Sequence, residues 1–243
     1  MCGRYATIRN DDQITSQFAV ETVVGDDPGP SYNVAPTQTA RVVLTHAGRD
    51  QPAAEAQRSL RSCRWGLIPS WAKDPKIGNK MINARAETVT GKPAFKAAAK
   101  RRRLLVPADG YFEWEKTATG KQPYFLHRDG EVLAFAGLYE LWPDPERAED
   151  DPDRWVWSFT VLTTTAPDAL GHIHDRSPVV LPASFWDTWL DPAMTEPGDV
   201  TALLNSVPEP RLEPRPVSTL VNSPRNNRPD LLDEVAPPSD PDR

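Results

Sequence analysis

The sequence predicts an α+β domain with a mostly antiparallel, barrel-like β core and short flanking helices, on three observations. First, beyond residue 103 four strand-like stretches follow one another: "RLLVPADGYFEWEK", "QPYFLHRDG", "EVLAFAGLYEL" and "WVWSFTVLTTTA". Their β-branched and aromatic content suits a pleated, packed surface. Second, "KTATGK" and "RDGE" have the length and glycine content of hairpin turns, which join antiparallel neighbours. Third, the helical stretches are short, and 26 prolines, about double ordinary usage, imply many loops.

In chain order, "GRYATI" reads as an early strand and "DDQITSQFAV" as a helix. The Pro/Gly/Asp stretch "VGDDPGPSYNVAPTQ" reads as a loop, "ARVVLTH" as a strand and "QPAAEAQRS" as a polar connection. "LRSCRWGLIPSW" is a strand that Gly66 and Pro69 break into a loop. A helix follows over "PAFKAAAKR", with Pro93 near its first turn. "WPDPERAEDDPDRW" is an acidic surface insertion, and "PASFWDTWL" and "GDVTALLNS" are short helices. Residues 1–222 form one domain. From residue 223 to 243 the chain turns Pro-rich and polar, which predicts a disordered tail.

A chain of 243 residues can bury a sizeable core. It has no apolar run long enough for a transmembrane helix and no basic-then-apolar leader. Two cysteines make neither a disulfide framework nor four zinc ligands. The expectation is a reduced, cytoplasmic monomer without metal or cofactor. Net charge is −6, but residues 61–128 carry 15 Lys/Arg against 5 Asp/Glu. One basic face on an acidic protein is an anion-binding footprint; for "KAAAKRRR" a solvated helix face is the competing reading.

Four constellations could carry chemistry. Cys2, exposed as residue one by Met1 removal, would place an α-amine (pKa about 7.7–8.0) beside a thiol (about 8.5). Facing an aldehyde, the amine forms an imine and the thiol closes a five-membered thiazolidine; an inert thiol near a chain end is the alternative. Cys63 reads as a small core residue. In "INARAET", a strand would put Asn83, Arg85 and Glu87 on one face, with Arg85 able to grip a phosphate and Asn83 a ligand oxygen. In "ADGYFEWEK", Glu113 alternates with Phe112 and Trp114; in a partly dry cleft its pKa rises and it can shuttle protons, otherwise it is a hydrated strand residue. In "HIHDRSP", His172 and His174 lack the further ligands of a zinc set, so His174 reads as one proton-exchanging imidazole in a polar site. Trp65 and Trp71 flank "GLIPS" beside basic residues, a pattern shared by base-stacking platforms and ordinary cores.

Together "MCGRYA", "YNVAPTQ", "RWGLIPSWAKD", "INARAET", "RRRLLVPADGYFEWEK", "QPYF", "FAGLYE", "LTTTA", "IHDRSPVVL" and "RPVS" resemble the SRAP family, the SOS-response-associated peptidases understood as abasic-site processing proteins. The blocks run in order over residues 1 to about 222. The resemblance implies a covalent crosslink between Cys2 and abasic sites in single-stranded DNA. It implies Asn83 near the linkage, Arg85 on a DNA phosphate, and Glu113 and His174 as acid/base pair at the Schiff base and opened sugar. Thr163 aligns with a supporting threonine on the DNA side, and Arg4 and Trp65 with DNA-contacting positions. AP-lyase activity and self-reversal are further implications, and DNA binding implies association with the nucleoid. Ser177 and Arg215 depart from the pattern, and the insertion at 143–154 and the tail lie outside it.

Two other readings use parts of the same sequence. An N-terminal-nucleophile amidohydrolase would use Cys2 as well but leaves "INARAET", "GYFEW" and "IHDRSP" without a role. A non-catalytic single-stranded DNA-binding module would use only the basic block and the tryptophans.

Overall fold

The computed structural model describes residues 2–46, 56–118, 120–171 and 173–236. Its thirteen strands form two sheets. The larger contains β2 (Thr22–Val24), β4 (Thr39–His46), β5 (Gln57–Trp65), β7 (Arg103–Ala108), β10 (Leu133–Pro143), β11 (Trp155–Thr165) and β12 (Arg176–Pro178), with β6 (Asn83–Arg85) paired to β11. The path β11-β10-β7-β4-β5 is antiparallel at every step. A parallel pairing of β5 with β11, at Ser158↔Arg64 and Phe159↔Trp65, closes it into a five-stranded ring. The expected antiparallel, barrel-like core is therefore present.

Residue alternation explains why the ring strands read as unbroken apolar runs. On β7, Leu104, Val106 and Ala108 enter one core cluster while Leu105 enters another. On β10, Leu133, Phe135 and Tyr139 divide in the same way from Ala134, Ala136 and Leu138. Successive side chains point to opposite faces, so a strand covered on both sides has no polar alternation to show. The outer cluster is roofed by the helices α1 (Asp11–Phe18), α2 (Lys96–Arg101), α4 (Trp186–Leu190) and α5 (Pro197–Ser206). Asn10 and Gln13 start α1 with a reciprocal capping box. α3 (Asp168–Gly171) is a single turn.

The second sheet runs in the order β13 (Glu213–Pro216), β9 (Gly120–His127), β8 (Gly110–Thr117), β1 (Tyr5–Thr7) and β3 (Ser31–Val34). It lays Cys2, Tyr5, Tyr111 and Leu126 against the cluster that holds Trp65, Leu104, Phe135 and Phe159. The amide of Phe112 donates to Arg4 O at 2.9 Å, so the first residues of the chain run beside β8.

Several expectations are corrected. "RDGE" turns the chain but makes no hairpin, because β9 and β10 belong to different sheets. "SYNV", expected in a loop, is β3, paired with β1. The strand in "INARAET" stops at Arg85; Ala86–Thr88 form a 3₁₀ turn, which takes Glu87 out of the ladder. "KAAAKRRR" is not one solvated face: Arg103 is buried and donates to the carbonyls of Ala99, Lys100, Trp189 and Asp191. The expected disordered tail is ordered over 223–236. Leu231 is fully buried, Pro229–Leu232 form a 3₁₀ turn and Val217 bridges to Glu234. Local composition misses this because the stabilising contacts reach back to Phe112 and Phe125 in β8 and β9. Residues 237–243, His172, Met1, Thr119 within "KTATGK" and residues 47–55 lie outside the described residues. Of the polar connection expected at 51–59, the last three residues, Gln57, Arg58 and Ser59, are instead the start of β5. No helix among the described residues is long and apolar enough to cross a membrane.

Candidate active site

Cys2 has no exposed surface. Its carbonyl accepts a hydrogen bond from Asn83 Nδ2 at 2.7 Å. Asn83 reaches it because β6 lies parallel on β11, with Asn83 opposite Val161 and Arg85 opposite Thr163. Asn83 Oδ1 is buried with no hydrogen-bond partner among the described residues. A buried amide oxygen left unpaired is costly, and such orphans collect where a ligand or reacting group supplies the partner.

Glu113 stands on β8, across the ladder from Tyr124, and is 4% exposed. Burial pushes its carboxyl up to about 7, so at neutral pH it both holds and releases a proton. The thiol of Cys2 is raised further, first by burial and then by the nearby Glu113 charge. Tyr111 is raised by burial and by the charges of Cys2 and Glu113. Cys2 and Tyr111 belong to one buried cluster, and Tyr111 and Glu113 line one small cavity.

Glu113 and His174 line the same cavity of about 10 Å³, room for about one water, walled by Tyr111, Leu126, Leu170 and Ile173. His174 Nδ1 lies 3.0 Å from the amide nitrogen of Arg176 and 2.9 Å from Asp175 Oδ1. One ring nitrogen cannot accept from an amide and donate to a carboxylate at once. Burial lowers the His174 pKa, so the neutral ring accepting the amide proton is the neutral-pH state. Protonation instead gives Asp175 a partner.

Arg176, absent from the sequence-based site, lines this cavity too. Its guanidinium grips Glu87 through both terminal nitrogens, at 2.7 and 2.9 Å, and donates to the Thr163 carbonyl and Oγ1. The signal was present in "HDRSP" and "INARAET", but only the fold shows that these blocks meet. Thr163 is 2% exposed and holds Arg176 through its carbonyl and Oγ1. The Arg85 side chain is exposed and makes no hydrogen bond or ion pair among the described residues, which suits a phosphate ligand.

Two residues expected to contact DNA have partners within the protein. Trp65 is fully buried, 5.2 Å from the Tyr5 ring and 6.2 Å from Phe159 between ring centres. Its indole donates to Ile82 O at 2.9 Å, next to Asn83 in the chain, so it props the site from below. Gly66 makes this turn possible. Its φ is +118°, a Cβ there would stand 2.5 Å from Gly78 O, and its amide donates to Phe159 O at 2.8 Å. Arg4 donates to Asn33 Oδ1 and to the carbonyls of Val221 and Asn222, tying the chain start to the ordered C-terminal segment. Trp71, by contrast, is 61% exposed and remains available to stack on a flat partner.

The family described as SOS response associated peptidase (SRAP) matches residues 1–224. Abasic site processing protein YoqW of Bacillus subtilis (strain 168) is 38% identical over 236 residues, covering 96% of this chain and 99% of that one. Abasic site processing protein HMCES of Xenopus tropicalis is 30% identical over 267 residues, covering 96% of this chain and 78% of its own. A crystal structure of a Bacteroides thetaiotaomicron protein superposes with a TM-score of 0.77 at 20% identity, over 97% of this chain and 100% of that one. A phage-related protein of Bordetella bronchiseptica gives a TM-score of 0.65 at 30% identity, over 89% and 94%. The chain is therefore a member of the SOS response associated peptidase (SRAP) family.

Proposed function

We propose that this protein processes abasic sites in single-stranded DNA by joining them covalently to Cys2 after Met1 removal. The observation that carries the reading is the burial of Cys2 against Asn83 and a carboxyl with a pKa near 7. The names of the relatives point to the same class of substrate.

The electrostatics order the steps. A thiol held protonated by burial and by a neighbouring carboxylate is a poor first nucleophile, so the α-amine attacks first. It adds to the C1′ aldehyde of the ring-opened sugar, and the carbinolamine expels water as protonated Glu113 gives its proton to the departing hydroxyl. Glu113, now a carboxylate, takes the thiol proton while sulfur bonds to the imine carbon, and the ring nitrogen ends as a neutral secondary amine. The product is a thiazolidine, one water lighter than protein plus DNA. The Asn83 bond to the Cys2 carbonyl aims the amine, Arg85 holds a flanking phosphate, and neutral His174 exchanges protons with the sugar hydroxyls during ring opening. Proton loss next to the imine would give a β-elimination, and so a lyase side reaction. The same buried thiol disfavours the amidohydrolase reading, which needs a thiol ready to attack an amide.

Intact mass spectrometry after incubation with an abasic oligonucleotide tests this. A species at the summed mass minus one water, stable without borohydride, supports the thiazolidine. A species seen only after borohydride reduction would mean that the chemistry stops at the imine.

A further inference from the structure

On the edge of the second sheet, distant in sequence from Cys2, three potential metal ligands converge. Glu213 on β13 is the ladder partner of His127 on β9. Asp129 follows two residues later, in the turn that Gly130 completes with φ +72°. The ligand atoms of His127, Asp129 and Glu213 all lie within 4.8 Å of one another. His127 Nδ1 and Asp129 Oδ1 are 3.2 Å apart. Two ligands at about 2.0–2.1 Å from a tetrahedral zinc ion stand roughly 3.3–3.4 Å apart, so this edge of the triangle already has coordinating dimensions. The imidazole is buried and its plane is set by stacking on Phe125, 5.3 Å away and tilted 16°. Both carboxylates are exposed and leave an entry path from solvent.

We propose that His127, Asp129 and Glu213 form a site for a divalent transition ion of the zinc class, with solvent in the fourth position. An imidazole with two carboxylates selects such ions over magnesium or calcium, which take all-oxygen sets. The ion would clip β13 to β9. From β13 the chain runs directly to Val221 and Asn222, whose carbonyls hold Arg4, so the clip secures the strap behind the chain start. Arg215 opposes it: its Nη2 lies 3.3 Å from Asp129 Oδ1, and the guanidinium must turn away when a metal arrives.

Zinc and Co(II) titrations of the full chain test the site, with Cys2→Ala run beside it because an N-terminal aminothiol also binds zinc. The expected result is one equivalent of zinc retained in Cys2→Ala, and Co(II) d–d bands without a thiolate charge-transfer band. Affinity should fall by more than about tenfold in His127→Gln and in Glu213→Gln, the latter an exposed position that spares folding, and should rise in Arg215→Gln. No binding, binding lost with Cys2, or binding indifferent to Glu213→Gln would each overturn the proposal.

Discussion

The side-chain amide of Asn83 donates to the carbonyl of Cys2 at 2.7 Å, across 81 positions of sequence. This bond fixes the direction of the chain start, and the oxygen of the same amide is left buried without a partner among the described residues. Asn83→Ala should slow crosslinking about tenfold, the equivalent of one hydrogen bond of about 1.4 kcal/mol, without abolishing it. Single-turnover gels under excess protein measure this. An unchanged rate would remove Asn83 from the mechanism.

Glu113 carries a stability signature as well as a catalytic one. Its carboxyl rises from 4.5 to about 7 on folding, so the folded state binds the extra proton. That contribution is fully present below pH 4.5 and is lost as pH rises through 7. Glu113→Gln should therefore match the parent near pH 4 and exceed it by about 3 kcal/mol well above pH 7. The same variant should crosslink about 100-fold more slowly or worse. Denaturant melts at the two pH values, with rates measured in parallel, check both halves.

Arg85→Ala should weaken binding to single-stranded DNA without altering the melting temperature, because the side chain is exposed and unpaired among the described residues. The slope of log affinity against log salt should shrink by about 0.7, one phosphate contact on a single strand. Fluorescence anisotropy across a salt series reads this directly.

Trp65→Ala should act through folding, costing about 3–5 kcal/mol, because the ring is fully buried beneath Ile82. Trp71→Ala should leave stability unchanged and weaken DNA binding. The opposite pattern would restore Trp65 as the base-contacting ring.

Leu231→Ala should cost about 2–4 kcal/mol, since this leucine is fully buried within the stretch that composition alone assigns to a tail. Urea titration of the variant decides between an ordered strap and a loose end.

What the sequence made legible is local. Alternation around Glu113 placed it on a strand, the apolar runs of β7 and β10 marked the ring, and Cys2 drew attention by position alone. What stayed hidden depends on distant pairings. The parallel closure of β5 on β11 leaves no local pattern, and neither does the salt bridge of Glu87 with Arg176, 89 positions away. Trp65 beside basic residues reads equally well as a nucleic-acid platform or a core ring, and only packing decides. Arg103 sits in a basic run, yet its four backbone acceptors come from two separate segments of the chain. The order of residues 223–236 rests on Leu231 finding Phe112 and Phe125, which composition does not encode.

The most direct test of the central claim is a denaturing gel of purified protein incubated with a single-stranded oligonucleotide bearing one abasic site. The account predicts a heat-stable shifted band that is absent in Cys2→Ala and in protein retaining Met1. A shifted band that persists in Cys2→Ala, or no band despite verified Met1 removal, would contradict it.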